Sequence, residues 1–563
     1  MFTAGWGKRE ILIEPNGLAM FGYGHWTHRA HEKRTPLFAR SICIRQDEQD
    51  WLIFCCLDLG CVTSAIRLQA IDELKQILGE KFNADQLVLT ATHTHSGPGG
   101  CAYEVLYNVP TQGFVPEHVD AISRAIVASV TTAITQAKPT QIKATTAQFA
   151  DEIEVAWNRS ISAYNLNTDV KPVTLDETHL ALNREMQVLG FYREDKLQAM
   201  LSLFGVHATC LGNTLNAHDG DNKGYASADV EERLTKQGIL EPVAIFAQAS
   251  AGDVSPHYHG PKQTKKRKSI KGEKEYLYAK QNGLRQSQLA LQSLTQTTTD
   301  LSGEVKGCLK YINLSQVLLD AEFAQGQDDI YTSAPCWGAS FFAGTPVDGL
   351  GAPRPLVFAM TLIADYIKRQ RFKKKDPEYL ALYRSQGVKN IVLEAQPKLI
   401  LGQKLNQIPQ HIDPLVSEIN RQVRNGGIKK SLLVPEILPL QLVQIGQLVL
   451  ICCPGEITTI ACKRLKQTVQ QYLNDDSLII WLVSYCNDYM GYITTYEEYQ
   501  KQNYEGGHTL YGQWTLGALQ TEFKQLAQQF KHEKNQSKKH SAKQLEPTIP
   551  PMEELAKRTY HLK

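Results

Sequence analysis

The sequence predicts an α/β fold: one large domain in which mixed sheets are covered by helices and the active site lies in loops at strand ends. Two observations support this prediction. Apolar strand-like runs alternate with segments of helical periodicity as far as Ala137. Several later apolar runs each end in a loop of small residues that carries one reactive side chain. Because open α/β sheets bind ligands beyond their strand ends, we expect these loops to converge.

The opening of the chain is predicted to be rich in strands. Residues 11–13 form one strand candidate, and residues 41–44 and 51–57 flank a polar turn, which predicts a hairpin. Apolar residues at helical spacing predict helices over residues 65–80 and 116–137.

Later apolar runs predict buried strands. Residues 367–432 differ from them, because they are rich in Lys and Gln and show weak periodicity and few strand signals. The predicted strands are residues 86–90, 200–206, 243–247, two strands within 438–453 that are separated at Gly446, and 478–485.

Charge and hydropathy are those of an ordinary soluble enzyme. The net charge of +2 gives no overall attraction to nucleic acid, so no nucleic-acid partner is expected. No apolar run approaches the roughly 20 residues that span a bilayer, and the first residues lack the layout of a signal peptide. We therefore expect a cytoplasmic protein, with export by a route independent of a signal peptide left open. The 12 cysteines form no Cys-X-X-Cys pair, which favours buried free thiols.

Two segments stand apart by composition. The run from Lys262 to Lys268 is the densest charge cluster in the chain; it is either a solvated loop or a contact with anionic lipid headgroups. From about residue 531 the composition becomes polar, which predicts a poorly ordered tail over 531–563 that follows a catalytic domain over 1–530.

The most informative segment is His93-Thr94-His95, between a predicted strand and the Gly-Pro-Gly-Gly turn at residues 97–100. In a strand, side chains two residues apart share a face, so His93 and His95 are expected to point the same way. Two imidazoles above an open glycine turn suit a metal or a proton-transfer site. The alternative is a pair of polar residues that simply end a strand.

Other strand ends add four candidate side chains, His207, Ser255, Glu456 and Tyr492. Two or three histidines with one carboxylate are a usual ligand set for hydrolytic zinc. Zinc polarises a carbonyl and activates water, as amide or ester hydrolysis requires. The residues alone therefore predict a zinc hydrolase and leave its substrate open.

The order of five motifs is similar to that of the neutral (neutral/alkaline, non-lysosomal) ceramidases, from about residue 5 to residue 525. The motifs are Thr-His-Thr-His-Ser-Gly-Pro-Gly-Gly at 92–100, Gly-Asp-Asn-Lys-Gly-Tyr-Ala at 220–226, Gly-Asp-Val-Ser-Pro at 252–256, Gly-Glu-Ile-Thr-Thr at 455–459 and Tyr-Ile-Thr-Thr-Tyr-Glu-Glu-Tyr at 492–499.

The resemblance implies hydrolysis of the amide of N-acylsphingosine (ceramide) to sphingosine and a fatty acid, with one zinc ion per chain. It assigns His95 as an acid/base group beside the metal and Ser255 to the substrate pocket, as nucleophile or as anchor. Arg159 matches an Asn-Arg-Ser motif and Tyr504 a tyrosine near the zinc. The implied zinc ligands are His93, His207, Glu456 and Tyr492.

The sequence also departs from the family. Members usually carry a secretion signal and a C-terminal immunoglobulin-like domain, and we expect neither here. Asn-Arg-Ser-Pro becomes Asn-Arg-Ser-Ile at residues 158–161, and His257 stands where the family favours Asn. The alternatives to a ceramidase are a zinc hydrolase of another N-acyl amine or lipid ester, and a catalytically silent lipid-binding relative. Intact metal ligands argue against the silent relative.

Overall fold

The computed structural model describes residues 2–47, 50–261, 263–349, 351–407, 413–532 and 545–562. The strands are β1 (Phe2–Glu10), β2 (Glu32–Lys33), β3 (Phe38–Arg45), β4 (Leu52–Leu57), β5 (Leu87–Ala91), β6 (Lys138–Gln148), β7 (Trp157–Asn158), β8 (Glu185–Arg193), β9 (Lys196–Leu203), β10 (Ala217–His218), β11 (Val243–Ala247), β12 (Val254–Ser255), β13 (Thr299–Asp300), β14 (Val305–Asn313), β15 (Cys336–Gly338), β16 (Ile391–Glu394), β17 (Leu399–Ile400), β18 (Gln403–Lys404), β19 (Ile437–Ile445), β20 (Leu448–Cys452), β21 (Glu456–Ile457), β22 (Ile479–Val483) and β23 (Tyr492–Ile493).

The helices are α1 (Ser64–Leu78), α2 (Val105–Asn108), α3 (Pro116–Thr135), α4 (Ile161–Tyr164), α5 (Asp221–Lys236), α6 (Glu273–Ser293), α7 (Ala339–Phe342), α8 (Arg354–Lys374), α9 (Pro377–Gln386), α10 (Pro414–Arg424), α11 (Thr459–Leu473), α12 (Tyr496–Lys501), α13 (Tyr504–Gly507), α14 (Thr515–His532) and α15 (Met552–Lys557).

Two mixed sheets form the centre of the molecule. The larger has the strand order β11-β9-β8-β6-β1-β3-β4-β5, with β13 beside β6, and the smaller has the order β14-β19-β20-β22. The pairs β4–β5, β9–β11 and β20–β22 are parallel, and the other pairs within these two sheets are antiparallel. The predicted α/β class with mixed sheets is therefore confirmed.

The sheets pack face to face because their strands carry apolar side chains on both faces. In β4, Phe54 packs toward Leu450 of the smaller sheet, whereas Ile53 packs on the outer face against Ile66 of α1 and Ile122 of α3. Helices α5 and α6 cover β8, β9 and β11 on that same outer side. Helices α11 and α14 cover the smaller sheet. The result is four layers, helix–sheet–sheet–helix.

Most predicted elements are present. The hairpin is β3–β4, the two early helices are α1 and α3, and the later apolar runs are β5, β9, β11, β19, β20 and β22. The prediction for residues 11–13 is wrong, because the first strand is β1 and ends before them. The glycines of β1 hide the apolar alternation by which a strand is predicted. A Cβ on Gly5 would lie 2.0 Å from the Ala133 carbonyl oxygen and one on Gly7 would lie 2.2 Å from that of Ser129, so the close packing of α3 requires glycine.

The C-terminal residues differ from the expected tail in the part that the structure describes. Leu555 of α15 is buried, and so is Arg558, which follows the helix. Thr559 then forms a β-bridge with Phe114. Glu554 accepts hydrogen bonds from the backbone N–H groups of residues 430 and 431. These contacts tie residues 545–562 to the body of the domain. Residues 533–544 lie outside the described residues.

Two further expectations concern the whole chain. All 12 cysteines are buried free thiols, as predicted. Within the described parts of the chain, no helix has the length and apolarity to cross a bilayer.

Candidate metal centre

The candidate site lies where loops from both sheets meet. The loops follow β5, β9, β11, β20 and β22, and backbone bonds join them to one another. Thr94 bridges Ala208, the N–H of Gly252 donates to the Ile457 carbonyl, and β21 pairs in parallel with β23. The expected convergence of strand-end loops is present.

His93 and His95 meet for a reason that differs from the predicted one. Strand β5 ends at Ala91, and His93 has a left-handed backbone with φ of +64° rather than an extended one. The two side chains nevertheless converge, with their Nε2 atoms 3.1 Å apart. The expected convergence is therefore right and the strand argument for it is wrong, because the chain already turns at His93.

Hydrogen bonds fix the rings of His93 and His207 so that the Nε2 lone pair of each ring points into the cluster. His93 Nδ1 lies 2.5 Å from the Gly60 carbonyl oxygen, and His207 Nδ1 lies 2.6 Å from that of Ala251. A carbonyl oxygen can only accept, so each Nδ1 carries the proton and each Nε2 is left bare. This arrangement is the usual one for histidines that bind a metal.

Glu456 completes the cluster from the other sheet. Its Oε2 lies 3.0 Å from His207 Nε2 and 3.5 Å from His93 Nε2. Tyr489 donates to Oε1, and the Tyr485 hydroxyl lies 3.4 Å from Oε2. Burial raises the pKa of Glu456, but positive charge at His93 and His207 outweighs burial and lowers that pKa well below its usual value; a metal cation between neutral rings would supply the same positive charge. The group is an ionised carboxylate.

Tyr492 and Arg159 form the next edge of the site. The Tyr492 hydroxyl lies 3.2 Å from His207 Nε2 and accepts a 3.0 Å hydrogen bond from Arg159 Nη2. Arg159 is buried and held by Asp348 at 2.8 Å and by Glu505 at 2.9 Å. Its guanidinium therefore points at the tyrosine with little freedom to move.

These groups fit a zinc ion by their chemistry and spacing. Tetrahedral ligand atoms at about 2.0–2.1 Å from zinc lie roughly 3.3 Å apart. The Nε2, Oε2 and hydroxyl separations given above run from 3.0 to 3.5 Å. The three histidines offer nitrogens within 4.8 Å of one another, so His95 is also within ligand reach. The unprotonated Nε2 atoms of His93 and His207 and the Glu456 carboxylate direct their lone pairs to one point. These lone pairs repel one another, and a bound cation would remove the repulsion.

The protonation state of two histidines agrees with that fit. Burial lowers the pKa of His207, and Arg159 lowers it further. Burial also lowers the pKa of His95 well below its usual value, with added effects from His93 and His207. Both rings are therefore neutral near pH 7, the form that binds a metal or accepts a proton.

Ser255 lies beside the cluster and is joined to it through Asp348. Its Oγ donates to Asp348 Oδ1 at 2.6 Å and accepts from the backbone N–H of His257 at 3.2 Å. Burial raises the pKa of Asp348, but Arg159, His257, His207 and the Ser255 hydrogen bond together outweigh burial, so the carboxyl is ionised with a pKa below its usual value.

Tyr504 lies next to Tyr492 in the same wall. The two ring centroids are 5.4 Å apart in an edge contact, and the Arg159 guanidinium lies 5.8 Å from the Tyr504 ring centroid. All eight side chains proposed from the sequence are thus in or beside one buried cluster.

Sequence reasoning missed several supports of the cluster. Tyr485 closes a strand that was predicted, and its ring stacks on His93 with centroids 4.2 Å apart. Asp348, in the loop before α8, and Glu505, in α13, hold Arg159 from positions that are far from it in sequence. A glycine-rich segment at 340–349 was the available signal for Asp348, and Glu505 adjoins Tyr504.

The basic run lies in the loop before α6. Arg267 is buried and pairs with Glu275 at 2.8 Å, so it is not a surface charge. Lys265, Lys266 and Lys268 are exposed, and Lys262 lies outside the described residues.

Curated relatives align over nearly the whole chain. The neutral ceramidase of Mycobacterium tuberculosis is 29% identical over 535 residues, which covers 94% of this chain and 77% of that protein. The neutral ceramidase of Pseudomonas aeruginosa is 29% identical over 530 residues, which covers 93% and 72%.

Solved structures agree with the sequence relatives. A structure described as ceramidase complexed with C2 superposes with a TM-score of 0.77 at 26% identity, over 94% of this chain and 75% of that chain. The crystal structure of neutral ceramidase from P. aeruginosa gives 0.73 at 25% identity, over 97% and 76%. The family profile described as "Neutral/alkaline non-lysosomal ceramidase, N-terminal" matches residues 2–359 and 418–521. The chain belongs to the neutral/alkaline non-lysosomal ceramidase family.

Proposed function

We propose that this chain is a zinc-dependent amidase that hydrolyses the N-acyl bond of ceramide to sphingosine and a free fatty acid. The single observation that carries the proposal is the cluster of His93, His207, Glu456 and Tyr492. Four loops from two sheets bring these positions together, with separations of 3.0 to 3.5 Å between neighbouring ligand atoms. Family membership supports ceramide as the lipid amide.

Hydrogen bonds orient three of the four proposed ligands before any ion binds. The Gly60 and Ala251 carbonyls fix the rings of His93 and His207, and Tyr489 fixes the Glu456 carboxylate. When bound, a zinc ion supplies Lewis-acid polarisation of the amide carbonyl and of a water molecule.

His95 is proposed to move the proton. Its neutral ring, with Nε2 3.1 Å from His93 Nε2, accepts a proton from the attacking water. As the C–N bond breaks, His95 returns that proton to the departing nitrogen, because an amide anion is too basic to leave unprotonated. His95 Nδ1 is buried without a hydrogen-bond partner among the described residues, so no structural bond occupies that nitrogen.

Arg159 and Tyr492 are proposed to stabilise the oxygen that gains negative charge. The guanidinium is charged and its direction is set by Asp348 and Glu505. Donors held in place before the reaction stabilise a developing oxyanion without reorganisation. Ser255, with its proton directed at Asp348, is proposed to anchor a substrate hydroxyl or amide rather than to attack.

A panel of substrates tests the proposal. Purified protein is incubated with ceramide, an N-acylethanolamine, an N-acyl amino acid and a fatty-acid ester, with and without a chelator, and products are measured by mass spectrometry. We expect the highest kcat/KM for ceramide, with sphingosine and fatty acid in equal amounts, and loss of turnover in chelator. His93→Ala serves as the inactive control. If the protein cleaves another amide but not ceramide, that amide is the substrate instead. If zinc-loaded protein cleaves none of the compounds, the protein is a lipid-binding relative rather than an enzyme.

A further inference from the structure

Helix α8 exposes an unusual number of large apolar side chains. Of its 21 residues, only Ala364 is buried. Phe358 is 65% exposed, Leu362 is 55% exposed and Tyr366 is 63% exposed. Residues four apart lie on one face of a helix, so these three side chains form a single stripe. Leu356 and Ile363 widen it and are 48% and 46% exposed.

The stripe continues into a basic end. Arg369 follows on the same face with its side chain 73% exposed, and Lys373, Lys374 and Lys375 are exposed beyond it. An apolar stripe followed by basic residues is typical of a helix that lies in a membrane interface. Asp365, the acidic residue of this helix, is already paired with Arg369 at 2.7 Å.

The opposite face of α8 is fixed to the domain. Lys368 Nζ donates to the Gly387 carbonyl at 2.7 Å, and Arg371 Nη2 donates to Glu394 at 2.8 Å. These contacts, with the buried Ala364, hold the apolar stripe outward. The apolar side chains of the stripe are therefore exposed on a helix that is firmly packed against the domain.

The loop that precedes α8 adjoins the metal centre. The helix begins shortly after Asp348, which binds Ser255 and Arg159, and after Gly349, which stands against the Tyr23 ring. The ring centroids of Tyr23 and His95 are 4.6 Å apart. The loop that carries α8 is thus part of the wall of the candidate site.

Arg267 of the basic run lies near the same wall. Tyr23 donates its hydroxyl to the Leu211 carbonyl at 2.6 Å, and a Cβ on the neighbouring Gly212 would lie 2.6 Å from Arg267 Nη2. Lys266 and Lys268 flank Arg267 and are exposed. Exposed positive charge therefore follows Arg267 in the chain on the Tyr23 side of the site, and a second group of exposed basic residues lies at the end of α8.

We propose that α8 is a membrane-docking helix that binds an anionic lipid bilayer. The stripe of Phe358, Leu362 and Tyr366 enters the boundary between headgroups and acyl chains, and the basic end binds lipid phosphates and carboxylates. Docking brings the site to a substrate that resides in the bilayer, so the inference rests on the proposed lipid amidase function. Residues 360–417, which include most of α8, lie outside the ranges that the family profile matches.

The charge of α8 favours an anionic bilayer, rather than a second copy of the chain, as the partner of the apolar stripe. Arg369 and Asp365 neutralise each other within the helix, so the net positive charge of the exposed end of α8 is carried by the exposed lysines at 373–375. Anionic lipid supplies the missing negative charge, at about 1 kcal/mol for each basic residue near the surface.

Vesicle sedimentation tests the proposal without relying on turnover. The probes are vesicles of phosphatidylcholine alone and of phosphatidylcholine with phosphatidylserine at roughly 3:1, the second being anionic. The variant Phe358→Gln/Leu362→Gln/Tyr366→Gln removes the stripe and keeps residues that favour helix. The matched control is Leu12→Gln/Leu175→Gln/Leu240→Gln, whose side chains are 69%, 72% and 88% exposed outside α8.

We expect the wild type and the control to bind the anionic vesicles equally, and the α8 variant to bind them at least about tenfold more weakly. Hydrolysis of a short soluble amide and zinc content should stay unchanged in the variant, which separates docking from catalysis. Equal vesicle binding by the variant and the wild type would overturn the proposal, as would a wild type that binds neither vesicle. A change from dimer to monomer in the variant, with vesicle binding retained, would assign the stripe to a contact between copies.

Discussion

His95 can either bind the metal or transfer a proton, and two substitutions at neighbouring positions separate these roles. We expect His93→Ala to lose both zinc and turnover, because a ligand with its lone pair fixed inward is removed. We expect His95→Asn to keep near-full zinc and to lose a factor of roughly 10²–10⁴ in kcat. Elemental analysis and steady-state kinetics on both variants provide the measurement. Complete zinc loss from His95→Asn would make His95 a ligand instead.

Ser255 is expected to bind substrate. Its proton is directed to Asp348, an ionised carboxyl whose pKa lies below its usual value, and such a group is a poor base for activating a nucleophile. Ser255→Ala should raise KM by about tenfold, the effect of one lost hydrogen bond, with a smaller change in kcat. Quenched reactions examined by mass spectrometry should contain no acyl-enzyme. An acyl group trapped on Ser255 would establish it as the nucleophile.

At the scale of elements, the loop after Leu18 supports His95. A Cβ on Gly22 would lie 2.4 Å from His95 Cγ, whereas one on Gly24 would meet nothing within 4 Å. Both glycines have positive φ, +120° and +60°, so an alanine at either is strained. Gly22→Ala adds a collision with the His95 ring to this strain, and Gly24→Ala does not.

We therefore expect Gly22→Ala to lower kcat by at least about tenfold relative to Gly24→Ala, because small displacements of a catalytic group are costly. Zinc content should be equal in the two variants. Equal kcat values in the two variants would show that the packing of Gly22 against His95 does not position the ring.

The sequence predicted the elements whose signals are local. Strands β5, β9, β20 and β22 are short apolar runs, and the reactive side chains lie in the segments that follow them. Strand β1 escaped prediction because Gly5 and Gly7 interrupt its apolar alternation, and they are required by the distant helix α3. Helix α8 escaped because its apolar residues face outward as well as inward, which removes the usual helical periodicity.

In the candidate site, too, the sequence predicted the residues with local signals and missed those whose role depends on distant contacts. His93, Glu456 and Tyr492 could be proposed as ligands because each lies in one of the shared motifs, and His207 because it ends a predicted strand. Asp348 could not, since its role depends on contact with Arg159 and Ser255, which are far away in the chain. The left-handed backbone of His93 could not be read from the alternation of a strand either.

At the scale of the whole molecule, the C-terminal segment joins parts of the domain that are distant in sequence. Glu554 is 7% exposed and accepts hydrogen bonds from both backbone and side chain of the 430–431 turn. Its neighbour Glu553 has a side chain 83% exposed and pairs only with Lys557 among the described residues.

Glu554→Ala should lower the thermal midpoint by several degrees, since buried backbone donors lose a charged acceptor, at about 1–3 kcal/mol. Glu553→Ala is the matched control and should leave the midpoint unchanged, as expected for a surface pair. Equal midpoints in the two variants would mean that α15 contributes little to the stability of the domain.

The central claim is that one zinc ion, held by loops from both sheets, is required for ceramide hydrolysis. The most direct measurement combines zinc content with turnover of ceramide in the same preparation, before chelation, after chelation and after zinc is returned. The account predicts about one zinc per chain, loss of turnover together with loss of zinc, and recovery on reconstitution. Undiminished ceramide hydrolysis by folded protein from which the zinc has been removed would contradict it.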